Sequence, residues 1–192
     1  MPTSPRKGKI IVFGILFWYP LAGVTFQFLH YLIALRRLGY DPYYVEDSAR
    51  WIYDPRINDL SPDPTGNLEA IAPLLKAHGF ADRWAFRGKY PDGKCYGLTE
   101  AQVNELYREA EAFLNITGAQ EIREEHLRVK RRIYVESDPF VSQVKVAKGD
   151  ESNFRNRRRQ QRGLQRFCSP YHARTAKGRS ATATATAAKS MC

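Results

Sequence analysis

Three groups of residues in this chain have types and spacings that could do chemistry. The first is the aromatic run Phe17, Trp18 and Tyr19, followed at short distance by Gly23 and Thr25. Aromatic rings offer an apolar face with a polarised π surface, suited to the C–H face of a sugar or to a base; they serve equally to close a core beneath a loop. Gly23 and Thr25 at a helix start would present backbone N–H groups to an anion or hydroxyl, or let the helix pack closely on a strand. The second group is acidic: Glu46 with Asp47, and Glu136 with Ser137 and Asp138. Such carboxylates can hold sugar hydroxyls or act as a general base. Asp138 followed by Pro139 is also the residue pair of a helix N-cap and first turn. The third is the small pair Thr117 and Gly118. His30 lies in an apolar run and reads as a packed core histidine, whereas His126, in Arg123-Glu-Glu-His-Leu-Arg128, reads as part of a solvated charged segment. No residue stands out as the catalytic base.

These residues acquire meaning from the elements that carry them. Ile10–Phe13 reads as a buried first strand, Val24–Leu38 as a helix stopped at Gly39, and Tyr43–Val45 as a second strand ending on Glu46 and Asp47. The Pro- and Asp-rich residues 48–66 read as a long loop. Leu68, Ile71, Leu74 and Leu75 form a helical stripe that Pro73 should kink or delay. Trp84–Phe86 is a short strand, followed by a turn at Pro91-Asp-Gly93. Thr99 with Gln102 three residues on has capping-box spacing, and Leu98 and Val103 flank it as a hydrophobic staple. Phe113–Ile116 and Arg132–Glu136 read as further strands, and Pro139 opens a helix with Phe140, Val144 and Ala147 on one side. Alternation of strand and helix predicts an α/β domain with a parallel sheet. In such a sheet ligands bind beyond the carboxyl ends of the strands, which is where the three groups fall.

Charge and composition limit the alternatives. The 192 residues hold 30 Lys and Arg against 20 Asp and Glu, a net charge of +10. Residues 151–192 alone contain eight Arg, two Lys and a single acidic residue, Glu151, so nine of the ten net charges lie there. That segment has no Ile, Val or Trp and ends in an Ala/Thr repeat. It cannot bury enough surface to offset chain entropy of ~1–2 kcal/mol per residue, and is expected to be disordered. The organisation expected is therefore 1–8 as a disordered N-terminus, 9–150 as one folded domain and 151–192 as a basic tail. The three cysteines, Cys95, Cys168 and Cys192, are widely spaced without a C-x-x-C pair. This speaks against a disulfide scaffold or zinc site and fits a cytoplasmic protein. From Ile10 to Leu35 no residue is charged, long enough for a membrane span of ~20 residues. Gly14, Pro20 and Gly23 interrupt that run, however, and a strand followed by a core-facing helix is the expectation. Gly14 and Gly23 do not form G-x-G-x-x-G, so the dinucleotide fingerprint is missing.

The block KIIVFGILFWYPLAGVTFQFLHYLIALRRLGYDPYYVEDSARW, together with EIREEHL and RRIYVESDP, resembles bacterial family 1 glycosyltransferases over about residues 8–150. The resemblance implies a GT-B architecture of two Rossmann-like domains facing a cleft, with this chain as the N-terminal, acceptor-side domain. A nucleotide sugar would be the co-substrate, held mainly by the other domain, with no permanently bound cofactor and no metal. Carried onto this sequence, the cleft-facing residues are Trp18, Tyr19, Gly23, Thr25, Glu46, Asp47, Gly118, Glu136 and Asp138. Nothing after Asp150 resembles a second such domain, and no two glutamates stand eight apart as in the donor motif of many relatives. The chain as written is therefore expected to be inactive alone. The change in composition at Asp150 is what out-of-frame translation would produce. Reading the coding DNA in the other frames tests this, and finding no aliphatic-patterned continuation overturns it. Two other functions compete: a nucleic-acid binder acting through Arg155, Arg157, Arg158, Arg159, Arg162 and Arg166, and a stand-alone nucleotide- or sugar-binding domain.

Overall fold

Three β-branched residues and a Phe after Lys9 make a strand that is buried on both faces, and this strand, β1 (Lys9–Phe13), lies at the centre of the sheet. The computed structural model describes residues 7–48, 51–88, 94–118, 120–137, 140, 143–144 and 147–149. The basic segment 151–192, the Pro91-Asp-Gly93 turn and the Asp138-Pro139 helix start lie outside the described residues.

After β1 come helix α1 (Ala22–Arg37), strand β2 (Asp41–Glu46), the strands β3 (Ile52–Asp54) and β4 (Asp59–Ser61), and helix α2 (Thr65–Ala77). Then follow β5 (Trp84–Arg87), β6 (Cys95–Gly97), α3 (Glu100–Glu109), β7 (Ala112–Ile116), a 3-10 turn (Glu124–Arg128) and β8 (Arg131–Val135). The six-stranded sheet runs β6-β5-β2-β1-β7-β8. Its β5, β2, β1, β7 and β8 are mutually parallel, while β6 pairs antiparallel with β5. The expected parallel sheet is thus mixed, with an antiparallel edge strand that alternation alone did not reveal.

Alternation along the strands sorts the core onto two faces. Val12, Tyr44, Trp84 and Phe86 pack with Phe28, Leu29 and Leu32 of α1 and Ile71 and Leu75 of α2. Ile11, Phe13, Val45, Ala85 and Phe113 pack with Val103, Leu106 and Tyr107 of α3. Helix α1 stops where Gly39 takes φ +89, a conformation that costs glycine no Cβ clash. Helix α3 starts as expected, with both bonds of the Thr99–Gln102 capping box present.

Three expectations are corrected. Residues 48–66 contain the β3–β4 hairpin rather than only loop, pinned at its turn by Asp54, which accepts the Arg56 backbone N–H at 2.9 Å. Helix α2 runs through Pro73, which sits on the exposed side where water can reach the carbonyl it leaves unbonded. His30 is exposed rather than packed in the core. Among the described residues no helix is long and apolar enough to cross a membrane.

One buried polar side chain ties the first loop to the rest. Asn67, 2% exposed in the first turn of α2, donates from Nδ2 to the carbonyls of Phe17 at 2.7 Å and Tyr53 at 2.9 Å. Asn67→Ala removes both donations, and the Phe17 carbonyl loses its partner in a buried place. The expected loss is ~2 kcal/mol of unfolding free energy, read as a lower urea midpoint with unchanged m.

Candidate functional site

Numbered in chain order, the five parallel strands lie 3-2-1-4-5, so the order reverses between β1 and β7. Chains leaving neighbouring strands there turn to opposite faces and open a crevice at the carboxyl ends. The segments after β1, β2, β5 and β7 all meet at that end of the sheet.

The loop after β1 is built as a core element at one side and a surface at the other. Leu16 and Phe17 are buried, and Phe17 packs against Trp84 and Phe86 at ring-centroid distances of 4.9 and 5.2 Å. Trp18 and Tyr19 are half-buried; Tyr19 stacks on Tyr53 at 4.7 Å with an interplanar angle of 14°. The carboxylate of Glu46, fully buried, holds this loop. It accepts the N–H of Phe17 at 2.8 Å, the N–H of Trp18 at 2.6 Å and the hydroxyl of Tyr44 at 2.7 Å. Burial pushes its pKa up to about 7, although these bonds pull the other way. Glu46 is therefore the anchor of the aromatic loop, its carboxylate committed to three hydrogen bonds. Gly23 is exposed in the first turn of α1, whereas the N–H of Thr25 is already given to the carbonyl of Leu21 at 2.8 Å.

Asp47, one residue on, points to the opposite face and is the hub of a polar cluster. Its carboxylate accepts Nε and Nη2 of Arg87 at 2.5 and 2.6 Å, and also Nη2 of Arg123. Its backbone is clasped by Gln120, which donates from Nε2 to the Asp47 carbonyl at 2.9 Å and accepts the Asp47 N–H at 3.1 Å. Gln120 is itself held by Asn115 at the end of β7 through bonds of 2.8 and 3.1 Å. Arg123 donates from Nε to Glu125 at 2.6 Å. Burial pushes the Glu125 carboxyl up, but the Arg123 bond and charge outweigh it and leave the group below its usual range.

His126 corrects another expectation: it is completely buried, between Phe13 and Tyr107 at ring distances of 5.1 and 5.0 Å, rather than solvated. Its Nδ1 accepts the N–H of Arg123 at 3.0 Å, and burial, with the Arg123 charge, lowers its pKa to about 4. The imidazole is neutral at physiological pH and carries its proton on Nε2. Asp47, Glu125 and His126 lie close enough together to suggest a cation site, with ligand atoms within 4.8 Å. The donor set does not fit one: two guanidinium groups already balance the two carboxylates, and Nδ1 of the histidine is engaged.

Thr117 and Gly118, after β7, have φ of +58 and +67. For a β-branched residue this is a strained conformation of ~1–3 kcal/mol, held by the Thr117 N–H bonded to the Val135 carbonyl at 2.7 Å. Gly118 is exposed there, and a Cβ on it would come within 2.9 Å of the Tyr134 ring. Glu136 is half-buried and accepts the Tyr134 hydroxyl. Asp138 lies outside the described residues.

A cavity of about 170 Å³ opens between the carboxyl ends of β2 and β5 and the first turns of α3. Glu46, Asp47, Arg87, Glu100, Asn104, Tyr107 and Glu125 are the polar residues along its wall. Of these the sequence reading named Glu46 and Asp47. The signals were present but faint: Arg87 follows Ala85 at the strand period, and Asn104 and Tyr107 sit one turn into the capped helix. No family model, curated protein or solved structure matches the chain. Fold and site thus define an α/β domain with a mixed six-stranded sheet and a polar cavity at its carboxyl end.

Proposed function

We propose that residues 9–150 are the acceptor-side, Rossmann-like domain of a GT-B glycosyltransferase, which transfers sugar from a nucleotide-sugar donor only when a donor-binding domain is supplied. The observation that carries the reading is the reversal of strand order between β1 and β7, with polar groups gathered at the carboxyl ends beside it. The likeness of the 9–51 block to family 1 glycosyltransferases gives the same assignment. Trp18 and Tyr19 are the rings placed to cover an acceptor, and Gly23, Gly118 and Glu136 border the same end of the sheet. Asp47 acts through the cluster it organises, and Glu46 through the loop it anchors. The developing charge on a leaving diphosphate needs fixed donors or cations. In this reading those come from the other domain.

The test joins the full chain to the donor-binding domain of an active GT-B enzyme and follows labelled sugar from a nucleotide sugar into a mixture of hydroxyl-bearing acceptors. Transfer by the fusion, with none by either part alone, is the expected result. Thermal stabilisation of the chain alone by micromolar nucleotide sugar would place the donor in this domain and overturn the assignment. So would a fusion that binds donor but transfers nothing.

A further inference from the structure

The six-stranded sheet ends in two unlike edges. On one side β6 is only three residues long, a short edge of the kind that resists pairing with another chain. On the other side β8 is five residues long, and no strand lies beyond it among the described residues. Its centre, Ile133-Tyr134-Val135, is β-branched and aromatic, without charge, proline or glycine. That composition favours a strand and carries none of the usual devices against edge pairing.

The register fixes which groups face outward. The N–H of Arg131 donates to the Glu111 carbonyl at 3.1 Å, and the Val135 carbonyl accepts the Thr117 N–H at 2.7 Å, so the peptide groups of Arg131 and Val135 are turned into β7. Successive residues of a strand turn their N–H and C=O to opposite sides. Those of Arg132, Tyr134 and Glu136 are therefore turned to the outer edge. The side chains sort by face at the same time. Ile133 and Val135, opposite Leu114 and Ile116, lie on the α1 side of the sheet; Arg132, opposite Phe113, and Tyr134 lie on the α3 side. Glu136, one step beyond β8, follows Tyr134 at the strand period.

A two-fold axis perpendicular to the sheet pairs two such edges antiparallel and keeps each face on its own side. With Tyr134 opposite its own copy, Arg132 meets Glu136 twice and Ile133 meets Val135 twice. Each charge then faces its opposite, each aliphatic side chain faces another, and the outward peptide groups form the hydrogen-bonded pairs. The neighbouring registers lose this match. One sets Arg132 against Tyr134 and Arg131 against Val135; the other sets Glu136 against Tyr134 and Ile133 against Ser137. The bonds within the chain leave room for the pairing. The Glu136 carboxylate, which accepts the Tyr134 hydroxyl, offers further lone pairs, and the Arg132 guanidinium, whose Nη1 donates to the Leu127 carbonyl at 3.2 Å, carries several other N–H donors.

We infer that β8 is a self-association edge, at which two copies of this chain join their sheets antiparallel about Tyr134, with Arg132 of each on Glu136 of the other. The inference goes beyond the glycosyltransferase reading and does not depend on it, since it rests on strand order and on the residues of β8. A single strand edge is a small contact, below the ~1,200 Å² of standard interfaces, so the dimer is transient and forms at high micromolar concentration.

Sedimentation of the full chain over a series from low to high micromolar concentration should show a monomer–dimer equilibrium. Amide exchange along the same series should slow at Arg132, Tyr134 and Glu136 as the dimer forms, while Ile133 and Val135, turned into β7 in the monomer too, stay protected throughout. Glu136→Arg sets like charges opposite each other at both ends of the contact and should raise the dissociation constant at least about tenfold. Combining Arg132→Glu with Glu136→Arg restores opposite charges and should return it to within about threefold of wild type. Tyr134→Pro removes an outward-turned N–H, a change that edge strands tolerate, and should leave a folded monomer at every concentration. The charge swap keeps the test decisive if the proline variant does not fold. A wild-type chain that stays monomeric across the series overturns the inference. So does a dimer that survives Glu136→Arg, a swap that fails to recover association, or growth beyond the dimer, which a closed two-fold contact does not allow.

Discussion

Asp47→Ala should cost more stability than any other single substitution at the carboxyl end of the sheet, about 3 kcal/mol of unfolding free energy. Breaking a buried ion pair by removing one partner costs ~3–5 kcal/mol, because the other charge is left without compensation. Here two guanidinium groups lose their carboxylate at once. The side chain of Asp47 is 4% exposed, but those of Arg87 and Arg123 are 22% and 32% exposed. Water can therefore take over part of the lost interaction, and the lower end of the range applies. The backbone clasp by Gln120 survives the substitution, since it involves only main-chain atoms of residue 47. A double-mutant cycle with Arg87→Ala, read from urea denaturation, should return a coupling of ~2 kcal/mol. A coupling within error of zero would mean that the pair is solvated and that the cluster is not a rigid wall. Asp47→Asn should fall between wild type and alanine, since it keeps one acceptor oxygen and loses the charge.

The same residue shows how far the sequence carries. Asp47 was recognisable because a carboxylate at the end of a predicted strand in an α/β pattern has few places to go. Its partners were not, because Arg87 and Arg123 stand 40 and 76 residues away along the chain and come together only through strand order. Periodicity specifies which residues form a strand but not which strands are neighbours. Glu46 and Asp47 illustrate the point from the other direction. Adjacent in sequence and alike in chemistry, they point to opposite faces of β2, one into an aromatic loop and the other into an ion cluster. A single step in strand register decides between the two duties. The capping box at Thr99 needed no such information, because both of its bonds are local. His126 defeats the sequence for a related reason: the charges around it turn outward or join the Asp47–Arg123–Glu125 cluster, while its own ring inserts between Phe13 and Tyr107 from separate elements.

Glu46 should make stability depend on pH in a direction opposite to that of an ordinary paired carboxylate. Its folded pKa is raised from 4.5 to about 7 by burial, so between those values the folded state binds a proton that the unfolded state has released. Stability from this group is then fully present below the unfolded pKa and is lost as pH rises towards 7. At about 1.4 kcal/mol per unit, the loss between pH 5 and pH 8 is on the order of 2–3 kcal/mol. Asp54, Asp63, Glu111 and Glu125 have lowered pKa values and contribute with the opposite sign, in a more acidic window. The comparison with Glu46→Gln isolates the term. The variant carries no titratable group, and its amide must turn an N–H₂ towards the N–H of Trp18 or of Phe17, which lowers its stability by a constant amount. Relative to wild type, Glu46→Gln should therefore improve by roughly 2–3 kcal/mol between pH 5 and pH 8, measured by urea unfolding at both pH values. Parallel stability curves would show that the three hydrogen bonds from Phe17, Trp18 and Tyr44 fully offset the cost of burial. The consequence reaches the surface, because these bonds hold the loop that carries Trp18 and Tyr19. A carboxyl with its pKa near neutrality thus holds the backbone N–H of Trp18, next to Tyr19.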